Sequence, residues 1–202
     1  MLDMTLKEFA AASASKAPVP GGGGVSAMCG ALSASLAEMV TNLTAGKKRY
    51  AQYEEEIQTI MKQAEELRTD LLDCINKDAE AFAPLAKAYG MDRNEEGYAE
   101  RLEECLKEAA RPPFAILERC AKVVELDERL AVIGSKLAVS DAGTSVMLAH
   151  GAMHGAFLNV MVNTRLMKDR EYADAFEKQA KDLLDEYAGR ALKCYAAVTE
   201  RL

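Results

Sequence analysis

Asp78 stands where an apolar side chain belongs. Upstream of it Ile57, Ile60, Met61, Ala64, Leu67, Leu71, Cys74 and Ile75 recur at spacings of three and four, the stripe of an amphipathic helix. The next positions on that stripe are Asp78 and Phe82. Burial disfavours a charged carboxylate and raises its pKa, which suits general acid–base chemistry, worth roughly 10²–10⁴-fold in rate. A second reading is open at the same position: Asp78 caps a kink ahead of Pro84, or pairs with a buried cation.

Gly21, Gly22, Gly23 and Gly24 directly precede a helix. Their amides, added to the partial positive charge of a helix N-terminus, suit a phosphate or carboxylate. The run lacks the Gly-Lys-Ser/Thr ending of a Walker loop, and no strand precedes it as a dinucleotide fingerprint requires. A flexible linker is the other reading. Lys47, Lys48 and Arg49 lie at the far end of that helix, as an anchor for an anionic ligand tail or as a solvated loop. Asn159 and Asn163 are one turn apart and share a face with Ala152 and Gly155. They form either a wall for a flat ligand or a pair of inter-helix hydrogen bonds. His150 and His154 have metal-ligand spacing, but no nearby carboxylate completes a site, so they read as structural or surface histidines and no metal is expected. No serine, cysteine or threonine has a readable partner for a nucleophilic triad.

The elements that must position these residues are helical. Thr5 and Glu8 have the spacing of a capping box, opening a helix that ends near Ser15. A helix rich in Ala, Ser and Gly is predicted from about Val25 to Thr44, and the amphipathic helix of Asp78 from about Tyr50 to Ala83. Pro84 is expected to kink or end it. Gly90 to Asn94 reads as a loop, Glu95 to Ala110 as a helix, and Pro112-Pro113 as the start of another that Gly134 stops. Ser140 or Asp141 is expected to cap a second Gly/Ala-rich helix reaching about Met167, and a last helix runs from about Asp169 to the C-terminus. Nothing alternates like a strand. The fold class is all-α: one compact multihelical domain over residues 1–202, with two Gly/Ala-rich central helices packed by amphipathic ones.

Composition bounds the partners. Half of the residues are apolar and 28% are charged, as in a folded globular chain. A net charge of −7 repels nucleic acid and anionic membranes, so neither is an expected partner. The five cysteines form no C-x-x-C pair and read as reduced thiols of a cytoplasmic protein. Val25 to Thr44 is long enough to span a membrane, but Glu38, Asn42 and its serines mark it as a buried helix.

Five segments, in order, carry a family resemblance: Pro18-Val19-Pro20-Gly21-Gly22-Gly23, Gly46-Lys47-Lys48-Arg49-Tyr50, Asp78-Ala79-Glu80-Ala81-Phe82, Ser140-Asp141-Ala142-Gly143 and Asn159-Val160-Met161-Val162-Asn163. The chain resembles the cyclodeaminase/cyclohydrolase family. That family contains the C-terminal domain of formiminotransferase-cyclodeaminase and stand-alone methenyltetrahydrofolate cyclohydrolases. The resemblance implies an all-helical homodimer with a folate site near the subunit interface, no metal and no tightly bound cofactor. It implies a tetrahydrofolate derivative as substrate and Asp78 as the acid–base group. It implies substrate contacts from Gly21, Gly22, Gly23, Lys47, Tyr50, Ser140, Asp141, Asn159 and Asn163. The expected reaction is hydrolysis of 5,10-methenyltetrahydrofolate to formyltetrahydrofolate. The alternatives are formiminotetrahydrofolate cyclodeaminase, which releases ammonia, and a helical protein that binds folate without turnover. Relatives usually carry Ser after the three glycines; Gly24 here is the departure that encourages the last alternative.

Overall fold

The capping box forms as its spacing predicts: the Glu8 amide donates to Thr5 Oγ1 at 3.2 Å and the Thr5 amide donates to the Glu8 carboxylate at 2.7 Å. It opens α1 (Leu6–Ser13) of a computed structural model that describes all 202 residues. The helices that follow are α2 (Gly22–Asn42), α3 (Glu54–Tyr89), α4 (Tyr98–Ile133), α5 (Val139–Thr164) and α6 (Arg170–Thr199), with no strand. Short 3₁₀ segments at Lys48–Tyr53 and Lys136–Ala138 lead into α3 and α5.

The Ala/Ser/Gly-rich α2 is the buried centre, packed against α3, α4 and α5. It runs antiparallel to α5. Ser33 Oγ donates to the Ser145 carbonyl at 2.7 Å, Ser26 sits on the open face of Gly155, and Gly22 lies beside Asn159. Small residues permit this approach, because their helix backbones meet with little side chain between them. Both helices are long and apolar enough to cross a membrane, yet the apolar window of α2 is 56% buried inside the fold and that of α5 39%. Part of α5 therefore presents an apolar face outward.

The structure corrects several boundaries. Pro84 does not end the helix; α3 continues through it to Tyr89. Pro84 is exposed, and so is Glu80, whose carbonyl loses its intrahelical donor to the ring. Pro112-Pro113 does not start a helix either, since α4 runs unbroken from Tyr98 to Ile133. Pro113 deprives the Ala109 carbonyl of its intrahelical donor, and Asn163 Nδ2 of α5 replaces that donor at 3.0 Å. Ser140 and Asp141 do not cap α5; they lie within its first turn, behind an Ala138 N-cap. Gly22–Gly24 are the first turn of α2 and not a loop before it.

A second carboxyl on an apolar stripe, Asp127 of α4, is fully buried. Ser145 Oγ lies 2.7 Å from Asp127 Oδ2 and 2.8 Å from the Ser33 carbonyl, while Asp127 Oδ1 has no partner. Ser33 gives its proton to the Ser145 carbonyl, and Ser145 has only one to give. All three contacts are satisfied together when Asp127 is a neutral acid donating to Ser145. Burial pushes the Asp127 carboxyl well above its ordinary 3.8, in agreement with that count.

A raised carboxyl pKa means that the native state binds a proton the unfolded chain has released. Stability from this group is therefore lost as pH rises from 3.8 toward the raised value. Asp127→Asn removes the dependence. Melts of wild type and D127N between mildly acidic and mildly alkaline pH are expected to diverge, wild type losing up to about 1.4 kcal/mol per pH unit relative to the variant. A difference constant across that range excludes a neutral Asp127.

Candidate active site

The first turn of α2 brings helix amides to one carboxyl. The Gly22, Gly23 and Gly24 N–H groups have no intrahelical acceptor, because the first helical bond runs from the Val25 amide to the Gly21 carbonyl, and Gly21 at the N-cap has no side chain to offer them. Asp78 on α3 lies directly against this turn. A Cβ on residue 23 would sit 2.6 Å from the Asp78 carboxyl carbon, so only glycine admits the carboxylate there. One on residue 22 would sit 2.9 Å from Asn159 Nδ2.

These residues enclose a cavity of about 110 Å³. Asp78 and Phe82 of α3, Pro18, Val19 and Gly21–Gly23, and Asn159 and Asn163 of α5 line it, closed by Ala109 and Pro113 of α4 and by Val162. No cation lies within ion-pairing distance of Asp78, which leaves the paired-cation reading without support. Burial raises the carboxyl above its ordinary 3.8, and an interaction with the Gly24 amide works in the opposite direction without cancelling it. Asn163 spends both amide protons on the Ala109 and Asn159 carbonyls at 3.0 Å each, and Asn159 Nδ2 donates to the Gly155 carbonyl at 2.8 Å. What Asn163 offers a ligand is its Oδ1 acceptor. The wall and the inter-helix bond of the sequence reading are thus the same side chains.

Gly24 is buried and does not line the cavity. A side chain there would point at Pro20 Cβ, 3.3 Å away, and Ile75 Cγ2, 3.8 Å away. A hydroxyl at this position would face the core, so its absence takes nothing from the cavity.

The remaining sequence candidates lie elsewhere. Lys47, Tyr50, Ser140 and Asp141 cluster where α2 ends and α5 begins, and Ser140 is about 28 Å from Asn159 along α5 at 1.5 Å per residue. Tyr50 accepts a hydrogen bond from the Lys136 amide at 3.0 Å, tying the 3₁₀ segment to the α4–α5 connection. Lys47 is exposed. Within one chain these four do not reach the Asp78 cavity. The His150 and His154 rings lie with centroids 4.6 Å apart, tilted 57° to one another, and no third ligand stands beside them. The sequence reading missed Ala109, Pro113 and Val162. The signal for the first two was present: Leu106, Ala109, Ala110, Pro113, Ile116 and Leu117 hold helical spacing straight through the prolines.

The formiminotransferase-cyclodeaminase family matches residues 5–182, and the chain belongs to it. It is 36% identical over 202 residues to a methenyltetrahydrofolate cyclohydrolase of Methylorubrum extorquens, covering 98% of this chain and 97% of that protein. A formimidoyltransferase-cyclodeaminase of Mus musculus is 26% identical over 92% of this chain, which spans only 35% of that longer protein. A solved structure, formiminotetrahydrofolate cyclodeaminase from Thermotoga maritima, matches with a TM-score of 0.85 and 34% identity over 100% of this chain and 96% of that one.

The fit of Asp78 against Gly23 is open to a double-mutant cycle. Gly23→Ala is expected to lower the unfolding free energy by about 1–3 kcal/mol through overpacking. In the Asp78→Ala background the same change is expected to cost little. Gly151→Ala, where a Cβ meets nothing, is expected to stabilise by about 0.5–1 kcal/mol. Additive costs at 23 and 78 in chemical denaturation rule out the close contact.

Proposed function

We propose that the chain is a folate one-carbon enzyme that hydrolyses 5,10-methenyltetrahydrofolate to formyltetrahydrofolate, with Asp78 as its acid–base group. The observation that carries the reading is Asp78 itself: a half-buried carboxyl without a cation partner, facing a cavity edged by a helix N-terminus and two asparagine amides. The near full-length similarity to a cyclohydrolase supports the hydrolytic direction.

The substrate carries a cationic N–CH–N bridge. Water adds to the bridging carbon, forming a C–O bond, and Asp78 takes the proton that water releases. One C–N bond then breaks as the carbinol hydroxyl becomes the formyl C=O on the other nitrogen; Asp78 returns its proton to the departing nitrogen, and the hydroxyl proton leaves to solvent as the one proton the reaction releases. As a carboxylate it also attracts the cationic bridge. The Asn159 and Asn163 Oδ1 atoms accept from the N–H edge of the pterin, while the Gly21–Gly23 turn bounds the opposite wall. The chemistry proposed needs no metal and no tightly bound cofactor, and the setting proposed is the cytoplasm.

A second reading, formiminotetrahydrofolate cyclodeaminase, is favoured by the Thermotoga maritima structure. There the ring closes and the same carboxyl protonates departing ammonia. The reading as a folate binder without turnover loses its motive, since position 24 points away from the cavity.

A homodimer is part of the proposal. Val25, Leu32 and Met39 recur every seven residues on α2 and are 38%, 48% and 45% exposed. Burying such a stripe requires a partner surface. Lys47, Tyr50, Ser140 and Asp141 would then contact substrate only from the other subunit.

Asp78→Asn is expected to lose at least about 10²-fold in turnover with little change in substrate affinity. The acid limb of wild-type kcat/KM is expected above the ordinary carboxylate range, since a base must be ionised and this carboxyl is raised. Loss of methenyl absorbance, run beside ammonia release from formiminotetrahydrofolate, separates the two reactions; near-normal turnover in D78N excludes the role given to Asp78. Sedimentation is expected to find dimers that Leu32→Asp splits, and a wild-type chain that stays monomeric at every concentration overturns the homodimer.

A further inference from the structure

The Asp78 cavity is too small for a whole folate. It holds about 110 Å³, whereas sites that enclose a drug-sized ligand run to about 300–1,000 Å³. It has room for the reacting edge of the pterin, so the rest of the molecule must lie outside. Val162, on its rim, also lines a groove of about 760 Å³ between the end of α5 and α6. Leu158, Met161, Val162 and Arg165 follow the i, i+3, i+4, i+7 spacing of one helix face and form one wall; Arg170 and Glu177 form the other. Leu158 and Val162 are each 61% exposed, an apolar floor leading away from the cavity.

The polar groups of this groove are unequal. Arg170 donates to the Thr164 carbonyl at 2.8 Å and the Met167 carbonyl at 3.3 Å and pairs with Asp174 at 2.6 Å. Glu177 accepts from Thr164 Oγ1 at 2.9 Å. Arg165 makes no side-chain hydrogen bond and no ion pair, and it is exposed. The groove therefore presents an apolar face for a flat ring and one free guanidinium about 4.5 Å further along the helix axis than Val162.

We infer that this groove seats the p-aminobenzoylglutamate half of the folate and that Arg165 pairs with a glutamate carboxylate. The inference rests on the folate reading above. The aryl ring covers Leu158, Met161 and Val162, and the guanidinium offers the planar fork that matches a carboxylate. Lys47, the tail anchor implied by the family resemblance, stands at the opposite pole of its own chain and is available only through a partner subunit.

The test is steady-state kinetics on wild type, Arg165→Gln and Lys47→Gln, each with 5,10-methenyltetrahydrofolate and with 5,10-methenyltetrahydropteroate, which keeps the aryl ring but lacks glutamate. R165Q is expected to raise KM for the folate about tenfold or more, with kcat within about twofold and KM for the pteroate little changed. Equal effects on both substrates, no effect on either, or a folate-specific effect confined to K47Q overturns the assignment. So does an R165Q chain whose sedimentation changes while its KM does not, which would make the groove a contact between copies. A wild type inert toward both compounds overturns the folate reading and this inference with it; turnover of both with no R165Q effect overturns this inference alone.

Discussion

The closeness of α2 to α3 at Gly23 is the constraint on which the candidate site depends. The Asp78 carboxyl occupies the volume that any other residue at position 23 would fill with its Cβ. That proximity places a carboxyl against the amides of a helix N-terminus and in a half-buried position at once. The two environments act in opposite senses: the helix end favours the charged form, and burial opposes it. Burial prevails, and the result is a carboxyl raised from its ordinary value with no cation to hold it ionised.

The opposite wall depends on a defect in a helix. Two prolines inside α4 remove intrahelical donors, and a buried carbonyl without a donor costs about 1–3 kcal/mol. Asn163 supplies the missing bond at Ala109, which fixes α5 against α4 beside the cavity and leaves the Asn163 Oδ1 free. A local irregularity in one helix thereby sets the rotation of a side chain on another. The 28 Å separation of the two poles has a similar origin: antiparallel packing of α2 and α5 puts the start of one beside the end of the other.

Asp78 and Asp127 show how far one sequence signal reaches. Each interrupts an apolar stripe at a position where the helix period asks for a hydrophobe. Asp127 is sealed among Ser33, Ser145 and the core, where Ser145 is its hydrogen-bond partner. Asp78 meets a cavity. Periodicity reports that a carboxyl is turned inward, and it is silent on what the carboxyl faces.

The sequence by itself determined the helices, the centrality of the two Gly/Ala-rich ones and the family resemblance, because period, capping and small-residue content are local properties written along the chain. It also placed Asp78, Gly22, Gly23, Asn159 and Asn163 as candidates. Only the tertiary structure decided which of them meet. Gly23 and Asp78 are far apart in sequence and touch because of how two helices cross, while Lys47 and Ser140, equally eligible by type, fall at the other end of the bundle. It also decided the helix ends, since Pro84 and Pro113 are tolerated through solvent on one side and an asparagine amide on the other, neither of which a local pattern contains.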